Sequence, residues 1–172
     1  GKDQKQHLEV TRDLAVKLNE TYGDGTAVIP EPIIRDDTAV VLGVDGRKMS
    51  KSYGNTLPIF GEEKPLKKLI MRIQTDSTPV EEPKPVENST ILALYKLFAS
   101  ESDYQTMVAD HQRGGIGYGD FKKRLAEAYW DFFTDMRRRR AEILSDPGYV
   151  DQVLAAGAGR AREEASKVLD RV

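Results

Sequence analysis

The sequence predicts a mainly α-helical chain that opens with the trailing part of an α/β unit. Three observations carry that expectation. A helical apolar pattern over Lys5–Tyr22 is followed by short β-branched runs; a Gly- and Ser-containing stretch from Asp45 to Asn55 then interrupts all periodicity; and beyond about Gly61 the spacing is helical almost throughout. The change of character near residue 60 predicts a first domain over 1–60 and a second, α-helical one over 61–172.

Taken in order, Leu8, Ala15, Leu18 and Tyr22 recur at helical spacing with Leu14 beside them, and Gly23 supplies a natural stop. Asp3 stands where a side chain could cap the first turn, and Gly1 permits close backbone approach to a ligand. Thr26–Ile29 and Thr38–Val44 are short and apolar, and Pro30, Pro32 and the Asp36-Asp37 pair bound them, as expected of strands or extended segments. Leu66, Leu69, Ile70 and Ile73 form a stripe beginning beside Pro65, a residue tolerated in a first helical turn. Thr75–Ser89 holds Pro79, Pro83 and Pro85 among charged residues and predicts an exposed loop, with Asn88 or Ser89 capping a helix over Thr90–Ala99. The glycines at 114, 115, 117 and 119 predict a tight turn before one long helix whose apolar face is Phe121, Leu125, Tyr129, Phe132, Met136 and Ile143. Pro147 and Gly148 break that helix, and a last one is expected over Tyr149–Val172, weakened by Gly157 and Gly159.

Composition narrows the functional classes. The 172 residues carry 26 Lys plus Arg against 28 Asp plus Glu, and the resulting net charge of −2 offers no global attraction to nucleic acid or anionic lipid. A polyanion must therefore be met by a local patch. No run approaches the roughly 18 consecutive apolar residues of a membrane helix, so no membrane partner is expected. The absence of Cys excludes disulfide scaffolds and thiolate metal sites, and fits a reducing compartment. Gly1 stands where an initiator Met would be, with neither a signal peptide nor an Arg-rich transit peptide after it, which predicts an internal start.

The strongest local signal is Lys48-Met49-Ser50-Lys51-Ser52, preceded by Asp45-Gly46-Arg47 and followed by Tyr53-Gly54-Asn55. Two ammonium groups three residues apart, interleaved with hydroxyls on a Gly-flanked loop, can wrap a polyphosphate and follow its charge as a bond breaks. A solvated basic turn is the plain alternative. Elsewhere, His7 and Glu9 do not share a helix face and the only other His is His111, so no metal site is expected. The Gly-rich stretch around Gly115 lacks a preceding strand and the full dinucleotide spacing, which argues against a nucleotide site there. Arg137–Arg140 must fan around a helix axis, as either a solvated, partly paired face or a contact for RNA phosphates; Lys64, Lys67, Lys68 and Arg72 form a second basic patch. Trp130 lies beside the apolar stripe and reads as core.

Lys48–Ser52 is identical to the KMSKS motif of class I aminoacyl-tRNA synthetases, and Gly1-Lys2-Asp3-Gln4-Lys5-Gln6-His7-Leu8-Glu9 resembles the Gly-x-Asp-Gln-x-x-His-x-Glu segment of the tryptophanyl-tRNA synthetase family. Thr75-Asp76-Ser77, Gly117–Lys122 and Leu125-Ala126-Glu127 resemble that family's helical domain, so the likeness spans nearly the whole chain. It does not include the family's N-terminal part with its HIGH-type motif. The resemblance implies the C-terminal part of a Rossmann-like nucleotide-binding domain followed by an α-helical domain of the anticodon-recognition type.

It further implies ATP as substrate with Mg²⁺, tryptophan and tRNA(Trp) as partners, formation of tryptophanyl-adenylate and pyrophosphate, and transfer of the aminoacyl group to the tRNA. Cytoplasmic location and a homodimer belong to the same implication. Residue by residue, Gly1 and Lys2 would approach the adenosine, Asp3 would accept from ribose hydroxyls unless it only caps a helix, and Gln4 would meet the amino acid. Val40 would hold adenine through its backbone or be a core strand residue. Lys48, Met49, Ser50, Lys51 and Ser52 would form the ATP-phosphate loop, with Lys48 and Lys51 catalytic and Lys51 placed to stabilise the leaving pyrophosphate. The related tyrosyl-tRNA synthetases share both motif regions, although their lysine loop usually departs from KMSKS. A non-catalytic RNA-binding helical module is the alternative of another class.

Overall fold

The computed structural model describes residues 4–34 and 40–170. Seven α-helices account for most of the described residues: α1 (Lys5–Tyr22), α2 (Glu63–Met71), α3 (Thr90–Tyr95), α4 (Glu101–Arg113), α5 (Tyr118–Phe132), α6 (Thr134–Ser145) and α7 (Pro147–Leu169). The chain divides into two compact units, one of Gly1–Val40 with Ala141–Val172 and one of Val41–Arg140.

In the first unit, α1 occupies the predicted span and buries Ala15, while Gln4 occupies the N-cap position without a side-chain cap. Asp3, the expected cap, lies outside the described residues. The following segment is not a strand: Thr26 and Ala27 lie in a bend, and residues 28–34 have no regular structure. Its polar backbone is satisfied by side chains of α1: Asn19 exchanges two hydrogen bonds with Ala27 (2.8 and 3.0 Å), and Arg12 donates to the Pro30 carbonyl at 2.8 Å and pairs with Glu31. That pairing with one helix replaces the sheet ladder expected for Thr26–Ile29. Asp146 caps α7 by accepting from the Gly148 amide, with Pro147 in its first turn; Gly157 and Gly159 are carried within it.

The second unit holds the core. α5 packs on α2 and α3, and α3 on α4. The predicted stripe of α2 is confirmed by burial of Leu66, Ile70 and Ile73, which meet Leu92, Phe121, Leu125 and Tyr129 in one apolar cluster. Ser89, one of the two expected caps, accepts from the Leu92 amide to start α3, and Asn88 takes a left-handed φ of 59°.

One expectation is corrected and another is qualified. The long helix predicted through Ile143 is two helices, α5 and α6, which meet at Phe133. The Trp130 carbonyl there accepts from the Thr134 hydroxyl at 3.0 Å and from the Arg137 guanidinium, so side chains draw on the acceptor that a continuous helix would give to a backbone amide. The break turns Phe133 into the core, where Phe98 lies edge-on at 5.6 Å, and leaves Phe132 and Met136 about half exposed. The Thr75–Ser89 loop is exposed over most of its length, as expected, but it winds around a buried cation. Lys84 is 3% exposed, and its ammonium donates to the carbonyls of Pro79, Val80 and Glu82 (2.6, 3.1 and 2.6 Å). Gly114, at φ 74°, lets this loop close, because a Cβ there would lie 2.5 Å from the Glu81 carbonyl oxygen.

His111 is fully buried, stacks on Phe121 at 3.8 Å and donates through Nδ1 to the Met107 carbonyl at 2.8 Å. Burial pushes its pKa below the ordinary 6.5, so the unfolded chain takes up a proton more readily than the folded one. Stability from this residue is complete above 6.5 and is lost as the pH falls from there through the folded-state value. The carboxylates held below their ordinary 3.8 act only at lower pH. The urea midpoint of this chain is expected to fall between about pH 7 and about pH 5, and His111→Phe should flatten that slope while keeping the ring stack.

Candidate active-site loop

Val41–Asn55 contains the lysine motif and folds as a compact hairpin closed by short-range hydrogen bonds. Leu42 and Lys48 form an antiparallel bridge, the Gly43 amide donates to the Arg47 carbonyl at 2.7 Å, and the Met49 amide donates to the Val41 carbonyl at 2.8 Å. This bridge is the only β-pairing among the described residues, and Thr38 and Ala39 of the expected strand lie outside them. Gly46, at φ 75°, makes the turn in a conformation other residues rarely adopt. Lys51–Tyr53 form one 3-10 turn, ended by Gly54 in the left-handed region.

Beneath the loop lies Asn55, 2% exposed. Its Oδ1 accepts from the Ser50 amide at 2.8 Å, while Nδ2 donates to Asp45 Oδ1 at 2.7 Å and to the Lys48 carbonyl at 3.1 Å. Its own carbonyl accepts from the Val44 amide at 3.1 Å. Gly43 makes room for it, since a Cβ at 43 would stand 2.4 Å from both the Asn55 amide carbon and nitrogen. The Asn55 hydrogen bond, helped by the Arg47 backbone and guanidinium, holds the Asp45 carboxyl down at about 2. Arg47 is bound to Asp45 through Nε and Nη2, both at 2.8 Å.

The five motif residues take distinct positions on this base. Lys48 and Lys51 are exposed, the Ser50 and Ser52 hydroxyls are 2.8 Å apart, and Met49 turns inward against the core cluster with Val41 and Val44. The loop is thus anchored by its methionine while both lysine side chains remain at the surface. A cavity of about 370 Å³ adjoins the hairpin tip, lined by Asp45, Gly46, Asp76, Glu87, Thr90 and Tyr118 among others. Two of its carboxylates, Asp76 and Glu87, lie outside the hairpin and disfavour a triphosphate in this cavity.

Gln4 is exposed at the start of α1 and Val40 is 52% exposed, both in the other compact unit; Gly1, Lys2 and Asp3 lie outside the described residues. His7 is exposed, and no group of three or more potential metal ligands gathers among the described residues. Arg137 lies 3.4 Å over the Trp130 ring, Arg140 stacks on Phe60 at 5.3 Å, and Arg138 pairs with Asp135 at 3.0 Å. The arginine run fans around α6 as its spacing predicts, and Trp130 packs against the core as expected. Lys64, Lys67, Lys68 and Arg72 are exposed, with Lys67 paired to Glu63 at 2.6 Å.

The family model described as tRNA synthetases class I (W and Y) matches residues 1–134. The chain belongs to this family. Among the synthetases that this chain resembles is the tryptophan–tRNA ligase of Rhodopirellula baltica, 48% identical over 99% of this chain and 53% of that protein. The tryptophan–tRNA ligase of Campylobacter jejuni is 42% identical, over the full chain and 54% of its own length. The chain spans about half the length of these curated relatives. It also superposes on the crystal structure of the Campylobacter jejuni tryptophanyl-tRNA synthetase complexed with ADP and tryptophan, with a TM-score of 0.84 at 43% identity, covering 99% of this chain and 53% of that one.

Within this synthetase chain the motif was legible in the sequence; its support was not. Asp45, Arg47 and Asn55 flank the motif as ordinary turn residues, and their joint action depends on a fold-back that periodicity does not report. The available signal was the Gly54-Asn55 pair, a left-handed turn followed by a side chain able to donate and accept at once. Gly43→Ala is expected to displace Asn55, to destabilise the unit by about 1–3 kcal/mol in chemical denaturation, and to speed tryptic cleavage after Lys48 and Lys51.

Proposed function

We propose that this chain supplies the lysine loop and the helical body of a tryptophan–tRNA ligase. In that reaction the tryptophan carboxylate attacks the α-phosphate of ATP, giving tryptophanyl-adenylate and pyrophosphate, and the aminoacyl group then passes to tRNA(Trp). The observation that carries the reading is the anchored hairpin with an intact KMSKS motif, in a chain 42–48% identical to proteins named tryptophan–tRNA ligase. Those names favour tryptophan over tyrosine within a family that covers both.

Lys48, Met49, Ser50, Lys51 and Ser52 form the ATP-phosphate loop, Met49 as its anchor and the lysines as its charges. The loop's task is electrostatic. As the bond to the α-phosphate breaks, negative charge builds on pyrophosphate, and an ammonium placed where that charge develops lowers the barrier without a covalent intermediate. Mg²⁺ enters bound to ATP and shares that neutralisation. Gly1, Lys2 and Asp3 hold the adenosine, Val40 contributes backbone contacts to adenine, and Gln4 meets the polar head of tryptophan, all by family resemblance.

Residues 1–60 belong to the nucleotide-binding domain and 61–172 to the domain that meets tRNA, within a cytoplasmic homodimer. Exposed cations on α2 and α6 support the tRNA contact, which is expected to weaken as salt rises.

The test is tryptophan-dependent ATP–pyrophosphate exchange by the whole protein. Lys51→Ala should lower the exchange rate at least ~100-fold, and a variant within a few-fold of the parent would contradict the role. Exchange driven by tyrosine would move the reading to the sister enzyme. Absent exchange with retained tRNA binding would make the chain an RNA-binding module.

A further inference from the structure

We propose that Asn55 is a positioning residue for the lysine loop, fixing through its buried amide the backbone at Lys48 and Ser50 so that the motif's cations are presented in one geometry. This rests on the reading of the loop as the ATP-phosphate clamp.

The amide uses both of its ends. Its oxygen takes the Ser50 N–H in the middle of the motif, and its NH₂ takes the Lys48 carbonyl at the start of it and the Asp45 carboxylate on the other arm. Three points separated along the chain are thereby tied to one planar group. A planar amide at 2.7–3.1 Å from three partners leaves little freedom to any of them. No other neutral side chain of this size both donates and accepts so: Leu would strand the Ser50 amide, and Asp would set a second carboxylate against Asp45. Gly43 preserves the space and Gly54 the approach, so the surrounding backbone is shaped to admit this side chain. Asn55 is shielded from solvent beneath the loop. It acts through the residues it holds, as supporting groups do when a catalytic constellation must stay within about 0.5 Å of its working geometry.

Three variants in the whole protein test this: Asn55→Asp, Asn55→Ala and the double variant Asp45→Asn/Asn55→Asp. Asn55→Asp keeps an acceptor for Ser50 but turns its other oxygen toward the Asp45 carboxylate, around which Arg47 is the paired cation and Asp76 and Glu87 share the adjoining cavity. Its kcat for tryptophan-dependent exchange should fall about 30-fold at pH 8 with the tryptophan KM within about 2-fold, because the loop acts on developing charge and not on amino-acid binding. The deficit should shrink about 5-fold by pH 6, where the facing carboxylates share a proton, and the double variant, which restores the 45–55 donor–acceptor pair but leaves the Lys48 carbonyl without its donor, should recover part of the lost kcat.

The proposal is overturned if Asn55→Asp keeps kcat within about 3-fold of the parent, or if its deficit is independent of pH and the double variant does not rescue it. If the parent itself shows no exchange, the functional reading fails while the positioning claim is still decided by amide hydrogen exchange. Asn55→Ala should then accelerate exchange at the Ser50 amide at least about 10-fold relative to helix α5, and an unchanged Ser50 amide would overturn it.

Discussion

A loop proposed to clamp a substrate has to be exposed enough to meet it and fixed enough to meet it in one geometry, and in this chain an amide is buried beneath the lysine-bearing loop. Asn55 lies at the base of the hairpin, where one side chain satisfies a donor and two acceptors that would otherwise be lost from water. The bonds are short in sequence span, so little loop-closure entropy opposes them. The lysines are therefore mounted on a base that is hydrogen-bonded within the chain itself.

The base in turn depends on the helical core. Met49, Val41 and Val44 pack on the same cluster that holds Ile70, Phe121 and Leu125, and the Val44 carbonyl accepts from the Gln74 amide just beyond α2. The hairpin is thus an outgrowth of the helical body. Its compact unit runs from Val41 to Arg140, crossing residue 60, where apolar periodicity changes character. Periodicity reports local geometry, whereas a compact unit is set by what packs on what; the two mark different boundaries without conflict.

The same distinction accounts for what could be read in advance. α1, α2 and α7 were legible because an apolar stripe, a proline in the first turn or a terminating glycine is a local signal. The break at Phe133 was not, because it follows from Thr134 and Arg137 both reaching the Trp130 carbonyl, an event among side chains with no composition to mark it. Lys84 was hidden for a similar reason. A lysine in a proline-rich loop reads as solvated, and only the fold gathers three carbonyls around its ammonium. At the loop, the motif letters marked the candidate site, while Gly43 and Asn55, which pack and hydrogen-bond beneath it, are single residues twelve positions apart with no motif to mark them.

Charge follows the same economy of placement. A chain with net charge −2 meets a polyanion only where cations are gathered and acids kept away. Within the hairpin Arg47 is drawn onto Asp45, and Asp45 onto Asn55, so the one acidic residue of the turn is neutralised by its neighbours and carries less repulsion toward a phosphate. With the Asp45 carboxyl held at about 2, that arrangement is intact at any physiological pH. The arginine in front of the motif therefore serves to cancel a charge, and Lys48 and Lys51 set the sign of the loop's face. A separation of this kind, with one cation committed to the scaffold and two exposed on the loop, lets the loop be both stable and electropositive in a chain of net negative charge.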